Sequence, residues 1–350
     1  MIGSMDISGR KIGPGYPCFI IAEAGVNHNG SLYMAYLLVD EAIKAGADAV
    51  KFQTFRAEKV VSPYAAKASY QIETTGNTES QLEMVRKLEL SYEDFRLLHS
   101  YCQKKGILFL STPFDEESAD FLVELGMPAI KVSSGEITNL PFLAHLARLG
   151  KPLIISTGMS TLGEVESAIL TVREAGDPPM ILLHCVCNYP ADPAEVNLRA
   201  MLTMEQAFGL PVGFSDHTLG IAVPLAAAAL GACVVEKHFT LDRSLPGPDQ
   251  RASLEPTEFR EMINGIRTVE SALGDGHKRP TPGEANTAEV ARRSLVAATD
   301  IASGTKLTVE MIAIRRPGTG LPPVLLKWLI GRRVKVQIQA GQLFQMDLLE

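Results

Sequence analysis

Eight short apolar segments, each ending in polar residues, constrain the fold of this chain more than any other feature of its sequence. They lie between residues 19 and 238, and each is almost continuously apolar instead of alternating. Such runs are typical of parallel strands that helices cover on both faces. The eight segments are Phe19–Glu23, Ala49–Thr54, Ile107–Thr112, Ala129–Ser134, Leu153–Ser156, Ile181–His184, Val212–Ser215 and Val234–His238.

Helical patterns separate these segments, and many of them end at a glycine. Ser91 can cap a helix over Tyr92–Lys105, and Thr161 with Glu164 has the spacing of a capping box. Eight strand–helix units predict an α/β protein with a (β/α)8 TIM barrel. A doubly wound open sheet is the structural alternative. Its dinucleotide-binding version is disfavoured because no Gly-x-Gly-x-x-Gly motif follows the first strand.

The pattern changes after residue 274. Residues 275–290 are rich in Gly, Pro and Thr, which predicts a linker between a barrel over residues 1–274 and a second domain over residues 291–350. We expect this second domain to be β-rich, with one helical stretch over Pro323–Leu329. Its predicted β segments are Ser294–Ala298, Ile314–Arg316 and Arg332–Ile338. A domain this small is near the lower size limit for independent stability, so we expect it to dock onto a barrel.

Composition and charge exclude several classes of protein. The 33 basic and 40 acidic residues give a net charge of −7 without a basic run, which argues against a nucleic-acid partner. The five scattered cysteines indicate reduced thiols and not a disulfide framework. The longest apolar stretch, Leu219–Val235, is broken by Gly and Pro and is too short for a membrane span. We therefore expect a cytoplasmic protein without a membrane partner.

Polar side chains gather at the predicted carboxyl ends of the strands, where barrels of this kind carry their active sites. Strand alternation places Lys51 and Gln53 on one face, and Glu236 and His238 on one face. If both faces point into the barrel, their charges converge at its mouth. The other polar residues at strand ends include Glu23, Thr112, Lys131, Ser134, Ser156, His184 and His217.

Two kinds of binding site follow from these residue types. Two cations and three hydroxyl donors suit a phosphate or carboxylate group. They are Lys51, Thr112, Lys131, Ser134 and Ser156. His217 and His238 end consecutive strands, where two neutral imidazoles could hold one divalent cation and leave positions open for water and substrate.

Several longer motifs contain these residues and carry a resemblance to a known family. They are Ile21-Ala22-Glu23-Ala24-Gly25, Lys51-Phe52-Gln53-Thr54, Ser111-Thr112-Pro113-Phe114, Ser156-Thr157-Gly158-Met159, Ser215-Asp216-His217-Thr218, Glu236-Lys237-His238-Phe239-Thr240 and Gly247-Pro248-Asp249. Over essentially its whole length, the chain resembles the sialic acid synthase family, which includes bacterial N-acetylneuraminate and legionaminate synthases. The segment that contains Arg316-Pro317-Gly318 resembles the antifreeze-like SAF domain that follows the barrel in these enzymes.

The resemblance implies a transferase that condenses phosphoenolpyruvate with an open-chain N-acetylated aminosugar aldehyde. Water adds, phosphate leaves, and the product is a nine-carbon 2-keto acid. The implied acceptor is N-acetylmannosamine, which gives N-acetylneuraminate. The alternative acceptor is 2,4-diacetamido-2,4,6-trideoxymannose, which gives N,N'-diacetyllegionaminate.

The resemblance also implies a role for most of the site residues. His217 and His238 would bind the divalent metal, usually Mn²⁺, and the anion site described above would hold phosphoenolpyruvate. The charge that develops in such a reaction, and not the resemblance itself, suggests that Glu23 and Glu236 stabilise positive charge at C2, with Glu23 positioning or deprotonating the water. The sugar contacts would be Gln53, Asn77, Tyr189, Asp249 and Arg316. Arg316 would come from the partner subunit of a domain-swapped homodimer.

Two other functions agree less well with these residues. A 3-deoxy-sugar-phosphate synthase would need an extra basic cluster for its phosphorylated acceptor, and the sequence shows none near the mouth. A non-catalytic binding protein would not need the full set of strand-end residues. For the synthase, because metal-bound histidines must be neutral, we expect activity to fall as the pH drops through about 6.5.

Overall fold

The structure, a computed structural model, describes residues 2–350. It divides into two compact units, one ending at Gly274 and one comprising Asp275–Glu350. The segment predicted as a linker, residues 275–290, falls within the second unit and contains most of a helix.

Residues 2–274, the described part of the first unit, contain ten strands, of which eight form one parallel sheet. The ten are β1 (Met5–Ile7), β2 (Arg10–Ile12), β3 (Phe19–Gly25), β4 (Ala49–Thr54), β5 (Leu108–Pro113), β6 (Ile130–Val132), β7 (Leu153–Ser156), β8 (Met180–Cys185), β9 (Val212–Asp216) and β10 (Val234–His238). The large sheet has the order β5-β4-β3-β10-β9-β8-β7-β6. Its two end strands, β5 and β6, lie against each other, so the sheet is a nearly closed barrel. The predicted barrel is confirmed, and each of the eight apolar segments overlaps one of its strands.

Helices follow the barrel strands. They are α1 (Leu32–Ala45), α2 (Ala57–Val60), α3 (Ser69–Thr75), α4 (Gln81–Lys87), α5 (Tyr92–Lys105), α6 (Glu116–Glu124), α7 (Leu140–Arg148), α8 (Leu162–Ala175), α9 (Arg199–Phe208), α10 (Ala222–Ala229) and α11 (Pro256–Leu273). The predicted caps form: the Ser91 hydroxyl accepts from the Asp94 N–H, and Thr161 and Glu164 make the capping box. Among residues 2–350, no helix is both long and apolar enough to cross a membrane.

The sequence analysis missed the hairpin of β1 and β2, because its Gly- and Pro-rich surroundings are typical of irregular chain. Its strands pair antiparallel, with Gly9 in the left-handed conformation at the turn (φ 82°). Met5, Ile7 and Ile12 are buried in the barrel's hydrophobic core. Packing of these three side chains therefore fixes a segment whose local sequence gives no strand signal.

The second unit contains one small antiparallel sheet. Its elements are α12 (Ala285–Ala291), β11 (Ser294–Ala297), β12 (Ile312–Arg315) and α13 (Leu326–Leu329). Leu295, Val334, Ile338 and Phe344 belong to its own core. The predicted β segment Arg332–Ile338 forms isolated bridges and no strand, because its residues pair with separate parts of the chain instead of one neighbouring ladder.

Candidate active site

The carboxyl ends of the barrel strands surround one cavity of about 500 Å³, the main cavity. Most of the residues that the sequence analysis singled out line it. They are Glu23, Lys51, Gln53, Thr112, Lys131, Ser134, Ser156, Tyr189, His217, Glu236 and His238.

Two lysines and two glutamates form a buried charge cluster in the main cavity. Lys51 Nζ lies 2.6 Å from Glu23 Oε2 and 3.8 Å from Glu236 Oε1. Lys131 Nζ lies 3.6 Å from the same Glu236 oxygen. All four side chains are buried, and pairing them offsets the large cost of removing isolated charges from water. The convergence expected from strand alternation is thus present.

Hydroxyl groups surround the two ammonium groups. Lys51 Nζ donates to Thr112 Oγ1 at 2.8 Å, and Lys131 Nζ donates to Ser156 Oγ at 2.7 Å. Ser134 Oγ accepts from the Gly158 N–H at 3.0 Å. The cavity therefore presents cations and hydroxyl donors together, which is the chemistry that binds phosphate and carboxylate groups.

The two glutamates differ in their affinity for a proton. Burial raises the pKa of Glu23 to about 7, and the nearby Glu236 adds to this rise while Lys51 opposes it. Burial also acts on Glu236, but Lys131 and Lys51, together with smaller contributions from His217 and the Ser215 hydroxyl, outweigh it and hold the pKa of that carboxyl below its usual range. Glu236 is thus a fixed negative charge at neutral pH, whereas Glu23 can take up or release a proton there.

The two predicted metal-binding histidines lie side by side at one edge of the main cavity. The ring centroids of His217 and His238 are 5.2 Å apart. Burial lowers the pKa of His217 to about 4 and that of His238 well below its usual value, so both rings are neutral at pH 7. His217 Nδ1 donates to the Val186 carbonyl oxygen at 2.6 Å, which leaves a lone pair on its Nε2.

These two rings fit a divalent transition metal. His238 Nδ1 is buried without a hydrogen-bond partner within residues 2–350, and so is Glu236 Oε2. Metal-bound histidines usually donate a hydrogen bond from the ring nitrogen that does not bind the metal, and His217 makes such a bond to the Val186 carbonyl oxygen. No group of three or more His, Cys, Asp or Glu side chains in the described chain is arranged to hold a metal. A metal here would thus take two protein ligands and keep open positions.

A smaller cavity of about 240 Å³ adjoins the main cavity, and we call it the side pocket. Its apolar wall includes Phe55, Val61, Met84, Val85, Leu88 and Phe114. Gln53, Tyr189 and His238 line both cavities. The predicted sugar contact Asp249 lines the side pocket, and burial raises the pKa of its carboxyl to about 6.

The remaining predicted sugar contacts are Asn77, in the first unit, and Arg316, in the second. Asn77 is exposed in the turn between α3 and α4 and lines neither cavity. The same region lines both cavities with Tyr70, Gln71 and Gln81 instead. Arg316 is exposed in the second unit, directly after β12.

Sequence reasoning missed several residues of the main cavity. Tyr70, Gln71 and Gln81 lie in or beside short helices, where no strand end marks them. Ser215 could have been found, since alternation along β9 turns it toward Glu236, to which its hydroxyl donates at 3.2 Å. Cys187 also lines the cavity, and a hydrogen bond from Cys185 lowers the pKa of its thiol to about 6.

Comparison with known proteins agrees with this geometry. The chain matches the NeuB family over residues 38–278 and the SAF domain over residues 292–350. An N,N'-diacetyllegionaminic acid synthase of Legionella pneumophila is 47% identical over 98% of this chain and 99% of its own length. A protein of the same name from Campylobacter jejuni is 49% identical over 89% of this chain and 94% of its own.

A solved structure extends the comparison to three dimensions. The N-acetylneuraminic acid synthetase of Leptospira borgpetersenii, in complex with citrate, superposes with a TM-score of 0.72 and 36% identity. The match covers 82% of this chain and 95% of that one. The chain therefore belongs to the NeuB family of sialic acid synthases, enzymes of the transferase class, and carries a SAF domain over residues 292–350.

Proposed function

We propose that this protein condenses phosphoenolpyruvate with 2,4-diacetamido-2,4,6-trideoxymannose and water to give N,N'-diacetyllegionaminate and phosphate. The observation that carries this proposal is the main cavity, where two lysines, two glutamates and two neutral histidines meet. A phosphate-bearing donor suits the lysines, and a carbonyl-bearing acceptor suits a metal site beside them.

The choice of acceptor differs from the first expectation of the sequence analysis, which was N-acetylmannosamine. The two bacterial relatives of the same name, at 47% and 49% identity, support the diacetamido sugar. N-acetylneuraminate synthesis, the activity after which the Leptospira synthetase is named, is the second candidate.

The donor site is formed by the anion-binding residues of the main cavity. Lys51 and Lys131 would neutralise the phosphate and carboxylate of phosphoenolpyruvate, and the hydroxyls of Thr112, Ser134 and Ser156 would complete its hydrogen bonds. Holding both substrates in register lowers the entropic part of the barrier by several kcal/mol.

His217 and His238 would hold a divalent metal, with Mn²⁺ the expected ion, which as a Lewis acid makes the sugar carbonyl carbon more electrophilic. Gln53, Tyr189 and Asp249 lie beside this pair and would bind the sugar's hydroxyl and amide groups. The enol carbon of phosphoenolpyruvate can then attack that carbon.

The two glutamates serve the next step. Attack by the enol carbon leaves positive charge at C2, and the ionised Glu236 stabilises it electrostatically. Glu23 accepts a proton from the water that adds at C2, a task suited to a carboxyl whose pKa is about 7. In the resulting tetrahedral intermediate, the C2–O bond to the phosphoryl group breaks and inorganic phosphate leaves. The C2 hydroxyl loses its proton and becomes the keto carbonyl, while the former aldehyde oxygen of the sugar takes up a proton and becomes a hydroxyl.

The test of this function is phosphate release by the full chain with Mn²⁺ and phosphoenolpyruvate, with each candidate sugar supplied separately. We expect the diacetamido sugar to support release and N-acetylmannosamine to support it more weakly. Release with neither sugar would contradict the proposed function. Mass spectrometry of the nine-carbon product identifies which 2-keto acid has formed.

Activity should rise with pH through about 7, the pKa of Glu23, because only its ionised form can accept the proton. The sequence predicted instead that protonation of the histidines would lower activity near pH 6.5. Burial keeps His217 neutral down to about pH 4, so the rise in activity near pH 7 is attributed to Glu23. Glu23→Gln should lower kcat by about 10²–10⁴-fold and abolish the rise in activity through pH 7. The check is kcat/KM from pH 5.5 to 9, with Glu166→Gln, a change at an exposed residue of α8, as control. If the kcat/KM of Glu23→Gln still rises through pH 7, Glu23 does not have this role.

We also propose that the protein is a domain-swapped homodimer in which Arg316 contacts the sugar's acetamido group in the partner's barrel. Arg316→Ala and Glu23→Ala should each be nearly inactive, but a mixture that exchanges subunits should recover up to about a quarter of full activity, since half of the dimers are mixed and each has one intact site. Phosphate release by the mixture is the measurement. Proven exchange without recovery would mean that Arg316 does not act across subunits.

A further inference from the structure

The side pocket offers a chemically distinct extension of the main cavity. Phe55 and Phe114 pack edge to face in its wall, with ring centroids 6.2 Å apart and ring planes at 83°. Phe55 and Leu88 share a small hydrophobic cluster, against which Val85 and Phe114 pack. Apart from Asp249, the polar residues that line the side pocket also line the main cavity. The part of the side pocket that the main cavity does not share therefore suits an apolar group and offers a hydroxyl few hydrogen-bond partners.

The charge of the side pocket excludes an anionic occupant. None of the described residues that line it is a lysine or an arginine, and Asp249 adds a carboxyl to its polar edge. The buried Lys67, on the neighbouring chain segment, already donates to Thr75 Oγ1 at 3.0 Å and to the Gly76 carbonyl at 3.1 Å. A phosphate group here would be desolvated without a cation, at high cost.

The position of the side pocket decides which part of a substrate can enter it. His238 and Tyr189 line both cavities, and the acceptor's carbonyl end lies beside His217 and His238 in the proposed function. A six-carbon chain held there by its carbonyl end would pass Tyr189 and His238 into the side pocket, toward Asp249 and the apolar wall.

We propose that the side pocket receives the C6 end of the acceptor sugar and selects a 6-deoxy sugar over its 6-hydroxy and 6-phospho counterparts. This inference rests on the proposed function and adds the residues that determine its specificity. An apolar pocket disfavours an added hydroxyl by about 10- to 100-fold in kcat/KM. An unpaired buried phosphate should be disfavoured by roughly 10³-fold or more.

The test compares sugars that differ only at C6: N-acetylmannosamine, its 6-deoxy counterpart and its 6-phosphate. The diacetamido sugar is assayed beside them, by phosphate release from the full chain with Mn²⁺ and phosphoenolpyruvate. We expect the 6-deoxy compound to exceed N-acetylmannosamine about 10-fold or more in kcat/KM, and the 6-phosphate to be the poorest of the three.

Two variants connect this preference to the side pocket. Val61→Thr keeps the shape of a side chain that is 8% exposed and adds a hydroxyl, and Met84→Gln does the same at a residue 4% exposed. Each should reduce the 6-deoxy preference by about 10-fold. Val172→Thr, buried in α8 and outside both cavities, is the matched control and should keep the wild-type ratio.

The outcomes separate this inference from the proposed function. If no sugar supports phosphate release, the proposed function is wrong and the inference fails with it. If the sugars react but the 6-hydroxy or 6-phospho compound matches the 6-deoxy one, the inference alone is wrong. It is also wrong if both pocket variants keep the wild-type preference.

Discussion

Replacing Lys131 with methionine is expected to lower kcat/KM for phosphoenolpyruvate by roughly 10³-fold, because removing the buried charged partner of a bound anion costs about 2–5 kcal/mol of binding. Lys131 Nζ lies 3.6 Å from Glu236 Oε1 and donates to Ser156 Oγ at 2.7 Å, inside the main cavity. Methionine keeps most of the side chain's volume and removes its charge. The loss should appear mainly as a higher KM for phosphoenolpyruvate, measured at saturating sugar.

The same substitution should also lower the free energy of unfolding, since Glu236 then keeps only Lys51, at 3.8 Å, as a charged partner. Adding Glu236→Gln to Lys131→Met should recover stability but not phosphoenolpyruvate binding. Lys67→Met removes a different buried lysine, one paired with Glu79 outside the cavities, and should leave the KM for phosphoenolpyruvate unchanged. If Lys131→Met binds phosphoenolpyruvate as tightly as the wild type, the anion site is wrongly placed.

Much of the barrel could be predicted because its signals are local. A strand covered on both faces is apolar until it reaches the mouth of the barrel, so β7 and β10 begin where the apolar runs do and end in the polar residues of the mouth. Alternation along β4 and β10 then turns Lys51 and Glu236 to the same side, and the structure places their charged atoms 3.8 Å apart. The charge cluster thus follows from register and the period of a strand.

Alternation alone could not determine the partner of every polar side chain. Asp216 directly precedes His217 in the sequence, but its carboxylate accepts a hydrogen bond from Lys237 Nζ at 2.6 Å. Neither of these residues lines the main cavity, because Lys237 points away from the face that Glu236 and His238 share. The pair is fully buried, so each charge stabilises the other.

Features that depend on packing between distant segments have no signature in the local amino-acid sequence. The β1–β2 hairpin is held by the burial of Met5, Ile7 and Ile12 against the barrel, and its local sequence resembles a loop. The side pocket is formed where α3 and α4 approach loops from other strands, so Gln71 and Met84 become lining residues only in three dimensions.

The largest effect on metal binding is expected from His238→Ala. Removing one of the two proposed imidazole ligands should weaken Mn²⁺ binding by more than about 100-fold, since even outer-shell changes at such sites cost 10–100-fold. Sugar-dependent phosphate release should fall by roughly 10³-fold, because a Lewis acid supplies several kcal/mol of charge stabilisation. Electron paramagnetic resonance of free Mn²⁺, titrated with protein, measures binding independently of activity.

The matched control for this variant is His184→Gln. His184 is another histidine near a strand end, its Nε2 donates to the Val196 carbonyl at 2.6 Å, and it does not line the main cavity. Its variant should bind Mn²⁺ like the wild type, while thermal unfolding shows whether either protein has lost its fold. His217→Ala should reproduce the loss seen with His238→Ala, because neither ring can hold the ion firmly alone. Wild-type Mn²⁺ affinity in a folded His238→Ala protein would place the metal elsewhere and remove the basis for activating the sugar carbonyl.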